Sequence, residues 1–530
     1  MDLDDMLEEI GEFGRFQITI YSLVCLPVLF AAANSLSYVF TAGVPNYRCY
    51  IPECEDLNST SYETPWMKWA IPPDTKSKQD GFKPSTCTRY VPKNYSNFNS
   101  VCSPSSFTNE TEQCSEWIFA HDERTIVNDW KITCLENQWK LSLVGSCHFA
   151  GIIVGSALFG ILADRYGRKR IFIICILLMG ISGMAQTISP EYVTFDIMIF
   201  VNAMGTAGVY PLAFIIGVEM VGKKKRELTG IVLNYFYAIG EALVALIAWC
   251  TKDWVMLQLT VSAPAVLFFV YFWMIPESVR WLLANEKRKK AKVIICKVAK
   301  ANKVILSDNV LDTFKEDSSL TGKQEVDTKI LPVVKEMLES NKLILRFIII
   351  YIIWAVNAFV YYGLSVNSTS MSGDKYINFA LVSLIEIPGY TLAWVSIRHC
   401  GRRFSLVGSL LLCGLTCGLT ILLPPDLAWA EMSLFLLGKL GITSAFGISY
   451  VYTAELLPTA VRSGGVGSAS TVARVGALLA PFVPLLGVYM QSLPSILFAS
   501  VAITAGLLAL KLPETLGRKL PETAKEATLI

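Results

Sequence analysis

The sequence predicts an all-α membrane protein with twelve transmembrane helices in two bundles of six. Of its 530 residues, 53% are hydrophobic and only 17% are charged, against about 25% charged in ordinary soluble domains. Apolar stretches long enough to span a bilayer recur along the chain, and matching motifs recur in its two halves. The net charge of +2 gives no basic field that would recruit nucleic acid. We therefore expect a lipid bilayer as partner and no nucleic acid.

Each predicted span is long enough to satisfy its backbone hydrogen bonds within one helix. The first, residues 16–40, follows an acidic start that lacks the positive region of a cleavable signal peptide, so we expect it to be retained. The other predicted spans are 141–163, 171–188, 195–218, 230–250, 254–275, 343–364, 377–397, 406–423, 432–452, 466–489 and 493–512.

Basic residues mark one side of the predicted bundle. They follow the second, fourth and eighth spans, whereas the turns 189–194 and 424–429 on the other side hold none. Short cytoplasmic loops collect lysine and arginine, so both termini are expected in the cytoplasm of a multi-pass plasma-membrane protein. The predicted segments are a cytoplasmic N-terminus 1–15, a first helix 16–40, an extracellular loop 41–140, the rest of the first bundle 141–280, a cytoplasmic linker 281–342, a second bundle 343–512 and a cytoplasmic tail 513–530.

The long first loop contains six cysteines and three glycosylation sequons, at Asn58, Asn94 and Asn109. An even number of cysteines beside glycan acceptor sites predicts a disulfide-stapled extracellular domain. The alternative is a set of reduced thiols in a disordered loop. Six cysteines allow 15 pairings, and the residues alone do not choose among them. The six are Cys49, Cys54, Cys87, Cys102, Cys114 and Cys134.

Matching motifs indicate an internal repeat. The turn DRYGRK after the second span matches RHCGRR after the eighth, with Gly167 and Gly401 lying 234 positions apart. The sixth and last spans end in PES at Pro276 and PET at Pro513, 237 positions apart. A duplicated six-helix unit is typical of transporters that hold a solute between two halves and rock them alternately. The repeat does not exclude a channel.

Charged residues recur at the same helix ends. Glu219 and Arg226 after the fourth span match Glu455 and Arg462 after the tenth, 236 positions further on. A carboxylate beside a basic turn can form an ion pair that closes the inner face and breaks when that face opens. The alternative is that these bases only fix orientation. The predicted gating residues are Asp164, Arg168, Glu219, Arg226, Glu455 and Arg462.

Four charged residues stand away from the ends of predicted spans: Glu241, Glu386, Lys439 and Arg474. A charge at the bilayer midplane costs about 2.5–3.5 kcal/mol, so such a residue normally faces a cavity and has a partner. One positive and one negative charge in a cavity fit a zwitterion. Arginine binds a carboxylate in bidentate fashion, and a carboxylate with aromatic faces holds a quaternary ammonium. The candidate aromatic faces are Trp354, Tyr361 and Tyr362.

Structural alternatives stand beside this hypothesis. Glu386 and Arg474 could neutralise each other as an ion pair, and Glu241 and Lys439 could pair across the two halves. The aromatic residues could be packing residues. His148, alone on an apolar span, could be a packing residue or a proton relay.

Several motifs together resemble the organic ion transporter family of the major facilitator superfamily. They are GILADRYGRKR with its repeat, IPESVRWLL from Ile275, TAELLPTAVRSGGVG from Thr453, YYGLS at Tyr361 and ETLGRKLPET from Glu514. The resemblance covers nearly the whole chain and implies the major facilitator fold. It implies uniport, exchange or sodium-coupled transport of organic cations, zwitterions such as carnitine, or organic anions. It also implies the disulfides Cys49–Cys114, Cys54–Cys102 and Cys87–Cys134.

The resemblance bears on the substrate class as well. By this resemblance, Arg474 stands at a position where cation-selective relatives carry Asp. Members that handle anions or carnitine are similar to this chain, because they carry Arg at that position. Glu386 matches the acidic position of the cation and carnitine branches, and IEIPGYTLAW is especially similar to the carnitine-type members.

These observations predict transport of small organic ions by alternating access, most of all organic cations or zwitterions such as carnitine. The alternatives are an organic anion transporter or exchanger and a transport-inactive sensor on the same scaffold. The string GVEMVGKK at 217–224 has Lys where an ATP site needs Ser or Thr, and the three histidines lack ligand spacing. We therefore expect no enzyme activity, no metal and no cofactor beyond a possible coupling ion, Na⁺ or H⁺, in a functional monomer.

Overall fold

Twelve apolar helices, α1–α12, make up most of the computed structural model. The model describes residues 13–55, 61–74, 83–93, 102–120, 122–222, 225–306, 336–337, 339–424, 427–459, 461–518, 520–521 and 523–529. Within these residues, eleven helices are long and apolar enough to cross a membrane, and a shorter apolar helix stands where the twelfth span is predicted. In order the helices are Arg15–Thr41, Cys134–Tyr166, Arg168–Gln186, Tyr192–Met220, Arg226–Thr251, Trp254–Met274, Asn341–Ser370, Lys375–Cys400, Arg402–Leu422, Ala428–Leu456, Arg462–Tyr489 and Leu493–Ala509.

The helices pack as two halves of six. In the first half, α4 lies against α2 and α3, and α1 lies against α5. In the second half, α10 lies against α8 and α9, and α7 lies against α11. Each of these contacts recurs six helices later, which confirms the duplicated six-helix unit that the sequence predicts.

The two halves touch along two pairs of helices, α2 with α11 and α5 with α8. Small residues allow this approach. A Cβ atom at Gly145 of α2 would lie 2.6 Å from Cγ of Pro481 in α11. A larger residue here would push the two halves apart.

Helix α8 is interrupted at Ile385, in the middle of its span, between the helical segments Lys375–Leu384 and Glu386–Cys400. Pro388 explains the break. It lacks a backbone N–H, so the carbonyl of Leu384 loses its helical partner, and the proline ring crowds that carbonyl. Glu386 therefore stands at a local break in the helix.

The segment between α1 and α2 forms a small loop domain. Strand β1, Tyr47–Cys49, pairs antiparallel with β4, Trp117–Phe119. Strand β2, Thr88–Pro92, pairs antiparallel with β3, Phe107–Gln113. Short helices lie at Met67–Ala70, Pro104–Ser106 and Ile126–Trp130. We call the side of the bundle that carries this domain the loop face, and the opposite side, which carries the turns at Gly167 and Gly401, the basic face.

Three disulfides hold the loop domain together, and they join the pairs that the family resemblance implies. Cys49, Ile51 and Phe107 lie in its buried core. Asn109 is exposed on β3, whereas the sequons at Asn58 and Asn94 lie outside the described residues. The bridge to Cys134 links the domain to the first residue of α2. The disulfides are Cys49–Cys114, Cys54–Cys102 and Cys87–Cys134.

On the basic face, short helices follow α6 at Val279–Ala284 and Arg288–Asn302. The sequence predicts a linker at 281–342, and most of its second part, 307–335, lies outside the described residues. A last short helix, Ala524–Leu529, follows α12.

The repeated turns of the basic face have the same construction in both halves. Gly167 and Gly401 have φ angles of 111° and 84°, a region that favours glycine. A Cβ atom at Gly401 would lie 2.7 Å from Oε2 of Glu514, and one at Gly167 would lie 2.4 Å from Oε2 of Glu277. The glutamates of the PES and PET motifs therefore sit directly over the two glycines.

Glu514 caps the start of α9. Its carboxylate accepts the backbone N–H groups of Arg402 at 2.8 Å and Arg403 at 3.0 Å. Burial acts to raise the pKa of Glu514, but the backbone N–H groups of residues 402, 403, 515 and 516 outweigh it and hold that pKa below its usual value. A carboxyl with a lowered pKa stabilises the folded state above its unfolded pKa, and this contribution is lost as the pH falls through the folded value.

We expect Glu514→Gln to lower the melting temperature of the purified protein at about pH 7, and to lower it less at about pH 3, because the contribution of the carboxylate is lost as the pH falls below the usual carboxyl pKa of about 4.3 and through the lowered folded value. Thermal unfolding followed by tryptophan fluorescence measures both. Glu110→Gln, at an exposed position of β3, is the control and should leave the melting temperature unchanged. Equal losses at both pH values would contradict the capping role of the carboxylate.

Candidate functional site

Three ionisable side chains meet where the two halves touch. Glu241 comes from α5 of the first half, whereas Glu386 of α8 and Lys439 of α10 belong to the second. All three residues are 0% exposed. The Nζ atom of Lys439 lies 2.8 Å from Oε1 of Glu386, and Glu241 interacts electrostatically with both. We call these residues the central trio. It contains two carboxyl groups and one ammonium group.

Lys439 is fully partnered. Besides the ion pair with Glu386, it donates hydrogen bonds to the carbonyl oxygen of Tyr361 at 3.1 Å and to Oγ of Ser365 at 2.8 Å. Its Nζ atom lies 3.4 Å from the centre of the Tyr361 ring. The ion pair observed is thus Glu386–Lys439, and neither Glu386–Arg474 nor Glu241–Lys439, the two pairings that the sequence leaves open.

The carboxylates of the trio are not satisfied. Oε1 of Glu386 faces Nζ of Lys439 at 2.8 Å, but the other three carboxylate oxygens, Oε2 of Glu386 and both oxygens of Glu241, have no hydrogen-bond donor among the described residues. A buried acceptor without a donor costs about 1–3 kcal/mol, and more when it is charged. A bound ligand is one source of the missing donor or charge.

Local backbone features bring the trio together. Gly240 precedes Glu241, and a Cβ atom there would lie 2.2 Å from the carbonyl oxygen of Leu29, so glycine allows α1 to close on α5. Gly438 precedes Lys439 in α10, and Pro388 follows Glu386 at the break in α8. Backbone weakened by glycine or proline is tolerated in membrane helices where it lines a cavity or is buried in protein.

Aromatic rings surround the trio on the side of α7. Tyr361 stacks on Phe446 of α10, with ring centres 5.7 Å apart. Tyr362 meets Phe149 of α2 edge to face at 4.7 Å, so this contact joins the two halves. Phe446 and Phe149 were not predicted, because an apolar ring inside a span carries no sequence signal that separates a cavity wall from ordinary packing.

Trp354 lies two turns away from Tyr361 and is completely buried. Its ring packs against Tyr450 at 4.5 Å, and its indole N–H donates to Oγ1 of Thr453 at 2.9 Å. The indole is therefore held by its neighbours in the second half.

Arg474 of α11 is half-buried. Its Nη1 atom donates to the carbonyl oxygen of Ser470 at 3.1 Å and to Oγ of the same residue at 2.7 Å. It interacts electrostatically with Tyr362, whose ring borders the trio. No ion pair joins Arg474 to a carboxylate in the described part of the chain, so its guanidinium has donors left for a ligand.

The predicted gating residues on the basic face form contacts within each half. Asp164 pairs with Arg168 at 2.5 Å, and Glu455 pairs with Arg402 at 2.8 Å. Glu219 accepts the hydroxyl of Ser278, and its repeat mate Glu455 accepts that of Thr515 at 2.6 Å. Arg462 lies 3.4 Å from the carbonyl oxygen of Leu457, and Arg226 begins α5.

Contacts between the two halves occur on both faces. On the basic face Glu227 of α5 pairs with Arg398 of α8 at 2.6 Å. On the loop face Glu123 of the loop domain accepts from Lys375 and from the hydroxyl of Tyr376, both at 2.5 Å. Phe40 stacks on Tyr376, with ring centres 5.5 Å apart. The three side chains of the trio are 0% exposed, and we call this conformation occluded for that reason.

Sequence reasoning missed these bridging residues. One signal was present: Arg398 stands 234 positions after Asp164, at the same place in the repeated turn but with the opposite charge. A position where the repeat reverses a charge is a candidate for a contact between halves rather than within one.

His148 of α2 is buried in the first half. Its Nε2 atom lies 3.2 Å from Oγ of Ser35, and its ring packs against Tyr38 and Phe149.

A cavity of about 760 Å³ lies elsewhere, beneath the loop domain. Trp117, Glu123, Arg124 and Asp253 are among the residues that line it. Hydrogen bonds to Asp129 raise the pKa of Arg124. None of the predicted substrate-binding residues lines this cavity.

A duplicated six-helix fold that buries opposite charges between its halves defines a membrane transporter. Residues 91–527 match the family model described as sugar (and other) transporter. The organic cation transporter protein of Drosophila melanogaster is 34% identical, with 99% of this chain and 94% of that protein covered. The organic cation/carnitine transporter 2 of Homo sapiens is 33% identical, with coverage of 98% and 93%. The chain belongs to the organic cation/carnitine transporter family of the major facilitator superfamily.

A solved structure of the xylose transporter XylE from E. coli, in a partially occluded inward-open conformation, shares the fold. Its TM-score is 0.62 at 15% sequence identity, with 95% of this chain and 100% of XylE covered. At this identity the likeness concerns the fold alone.

We expect Lys439→Met to destabilise the protein strongly, because removing one partner of a buried ion pair costs about 3–5 kcal/mol. Adding Glu386→Gln to the same chain should recover a large part of the loss, since the uncompensated charge is then gone. Thermal unfolding of the single and double variants measures this. Lys375→Met, at a side chain that is 30% exposed, is the control and should cost less. A double variant that melts no higher than Lys439→Met would contradict the role given to the ion pair.

Proposed function

We propose that the protein carries small organic cations or zwitterions such as carnitine across the plasma membrane by alternating access. The observation that carries this proposal is the central trio, in which two buried carboxyl groups share one ammonium. A substrate cation would supply the missing positive charge. The printed names of the relatives, organic cation transporter and organic cation/carnitine transporter, support the same substrate class.

In this proposal the substrate lies between the two halves. Its ammonium group approaches Glu241 and Glu386 and displaces Lys439 from the face of the Tyr361 ring, which that lysine covers in this structure. In a zwitterion the carboxylate binds the remaining donors of Arg474, which interacts electrostatically with Tyr362. Because Glu241 belongs to one half and Glu386 to the other, a bound cation attracts both halves and favours the occluded state.

We place the loop face outside the cell and the basic face in the cytoplasm. The distribution of basic residues supports this orientation, with both termini cytoplasmic. The disulfides of the loop domain and the exposed sequon at Asn109 agree with an oxidising, glycosylating compartment. We propose a functional monomer without enzyme activity, since the site that it needs is complete within one chain.

Alternating access then requires the two bridging contacts to break in turn. Opening to the outside separates Glu123 from Lys375 and Tyr376, and opening to the cytoplasm separates Glu227 from Arg398. The contacts of Asp164, Glu219 and Glu455 hold the basic turns within each half while the halves rock. Their gating role is thus to keep each half rigid.

The charge of Arg474 should set substrate preference. We expect Arg474→Asp to reduce uptake of L-carnitine at least tenfold and to retain or increase uptake of tetraethylammonium, because the carboxylate of carnitine loses its partner and meets a like charge. Uptake of both, and of para-aminohippurate as an anion, is measured in reconstituted vesicles. Arg474→Lys keeps the charge and should be intermediate. An unchanged order of preference among the three probes would remove Arg474 from the site, and preferred uptake of the anion by the wild type would contradict the substrate class.

Reversing the charge of one partner in the exposed Glu227–Arg398 pair should shift the equilibrium between the occluded and cytoplasm-open states only mildly. Glu227 and Arg398 are 69% and 54% exposed, so their pair contributes about 0–1 kcal/mol. We expect Glu227→Arg to favour the cytoplasm-open state, seen as faster alkylation of a cysteine introduced at Tyr235, and the additional exchange Arg398→Glu to restore the original rate. A double variant that behaves like Glu227→Arg would exclude a direct pair.

A further inference from the structure

The short helix Arg288–Asn302, which follows α6 on the basic face, is called the linker helix below. We propose that this helix and the start of α3 together bind the headgroup of a phosphoinositide, an anionic phospholipid that carries phosphomonoester groups. The binding residues are Lys169 and Arg170 of α3 and Lys297 of the linker helix, and we call them the basic triad. This inference goes beyond the proposed function and concerns a ligand from the leaflet that the basic face meets.

The first observation is that positive side chains from two separate elements gather at one place. Lys169 interacts electrostatically with both Arg170 and Lys297. Arg170 and Lys297 are exposed, whereas Lys169 is half-buried. Like charges at close range repel each other, so packing the linker helix beside α3 is unfavourable unless an anion lies among the three side chains.

The acidic residues beside the triad have other partners. Asp164 pairs with Arg168. Glu277 interacts with Lys169, and its carboxylate accepts the backbone N–H groups of Lys169 at 3.0 Å and of Ser278 at 3.1 Å. When Glu277 is counted against the three positive charges of the triad, two positive charges remain. A phosphodiester carries a single negative charge, whereas each phosphomonoester carries about −1.5 to −2, so a headgroup with phosphomonoesters balances the site.

The second observation is an aromatic surface that continues from the triad along α6. The Nζ atom of Lys169 lies 5.2 Å from the centre of the Phe272 ring. Phe272 and its neighbour Trp273 are 47% and 68% exposed. Phe269, which is also exposed, meets Trp273 edge to face at 5.2 Å. Aromatic residues at the end of a membrane-spanning helix lie at the level of the lipid headgroups. A lipid that places its phosphates on the triad therefore finds these rings for its acyl chains.

The third observation is the composition of the linker helix. From 287 to 303 the chain contains eight basic residues and no acidic residue. Ala291 and Ile295 are buried against the protein, whereas Val293, one turn before Lys297, is exposed. An outward face that combines lysines with an apolar residue is typical of helices that lie on anionic membrane surfaces.

The repeat shows that this arrangement differs between the two halves. The offset of 234 places Arg403 at the position of Lys169 and Phe404 at the position of Arg170. The side chain of Phe404 is exposed. The second half thus has one charge and one apolar ring where the first half has two adjacent charges. This difference favours a polyanionic ligand at the first half.

The bound headgroup would connect several helices of the first half. Asn302, at the end of the linker helix, accepts the backbone N–H of Phe16 at 3.0 Å and donates to Oε1 of Gln17 at 2.8 Å. These bonds join the linker helix to the start of α1. A headgroup on the basic triad would join the same helix to α3, so the lipid would hold the first half together at the leaflet while the second half moves.

The first test measures lipid binding to the full-length protein purified in detergent. Dioctanoyl phosphatidylinositol 4,5-bisphosphate is the probe, and native mass spectrometry counts the bound molecules. We expect Lys297→Gln to weaken binding about fivefold, because a basic residue near an anionic headgroup contributes about 1 kcal/mol. Adding Lys169→Gln and Arg170→Gln to the same chain should weaken binding about a hundredfold.

Lys511→Gln, at an exposed lysine just after α12, is the matched control for this test. It removes one positive charge near the same face and should leave binding of the probe unchanged. A triple variant that retains the affinity of the wild type would overturn the proposal, and so would an equal loss in Lys511→Gln and Lys297→Gln.

The second test needs only the wild type, so it does not depend on the folding of a variant. Calorimetric titration compares the same probe with dioctanoyl phosphatidylcholine and with free inositol 1,4,5-trisphosphate. We expect no saturable binding of the zwitterionic lipid. The free headgroup should bind at least about tenfold more weakly than the probe, because it lacks acyl chains to pack on Phe272 and Trp273.

Equal binding of the free headgroup would indicate a site for soluble polyanions, and equal binding of phosphatidylcholine would exclude a role for the charges. Either result would overturn the proposal. Neither test involves movement of a solute, so a negative result here leaves the proposed transport function intact.

Discussion

The architecture depends on one constraint, the neutrality of charges that are buried where two moving bodies meet. Glu241, Glu386 and Lys439 have no access to water in the occluded state, so their charges must be balanced by one another and by what lies between them. Lys439 balances one carboxyl and is held in place by Tyr361 and Ser365. The remaining carboxyl makes the site selective for a positive charge, and its position across the interface links that selectivity to closure.

Positions where the two repeated halves are alike and positions where they differ have separate roles. Where the halves are alike, as in Gly167 with Glu277 and Gly401 with Glu514, the contacts stiffen each half at its basic face. Where they differ, the residues serve the contact between halves. Arg398, at the place of Asp164 in the repeated turn, reaches across to Glu227. The two repeated halves thus surround an asymmetric site. The first half contributes Glu241, and the second half contributes the ion pair Glu386–Lys439.

The sequence predicts the helices, their turns and the repeat well, because the signals for these features are local. Span length, the basic turns and the glycines of the repeat follow from chemistry within a few residues, and Pro388 marks the break beside Glu386. The partner of Lys439 could not be predicted, since it depends on how α8 and α10 pack. The direction of the Arg474 side chain, which turns to Ser470, and the contact of Glu123 with α8 depend likewise on tertiary placement. The disulfide pairing came from the family resemblance rather than from the spacing of the cysteines.

The most direct test of the central claim is an experimental structure of the protein with bound tetraethylammonium or L-carnitine. We predict the quaternary nitrogen within about 6 Å of the carboxyl groups of both Glu241 and Glu386, the range in which an opposite charge stabilises a carboxylate. The ring of Tyr361 should lie against the ammonium group, and the Glu386–Lys439 contact should lengthen. A ligand bound only in the cavity beneath the loop domain, with the trio unchanged, would contradict the account.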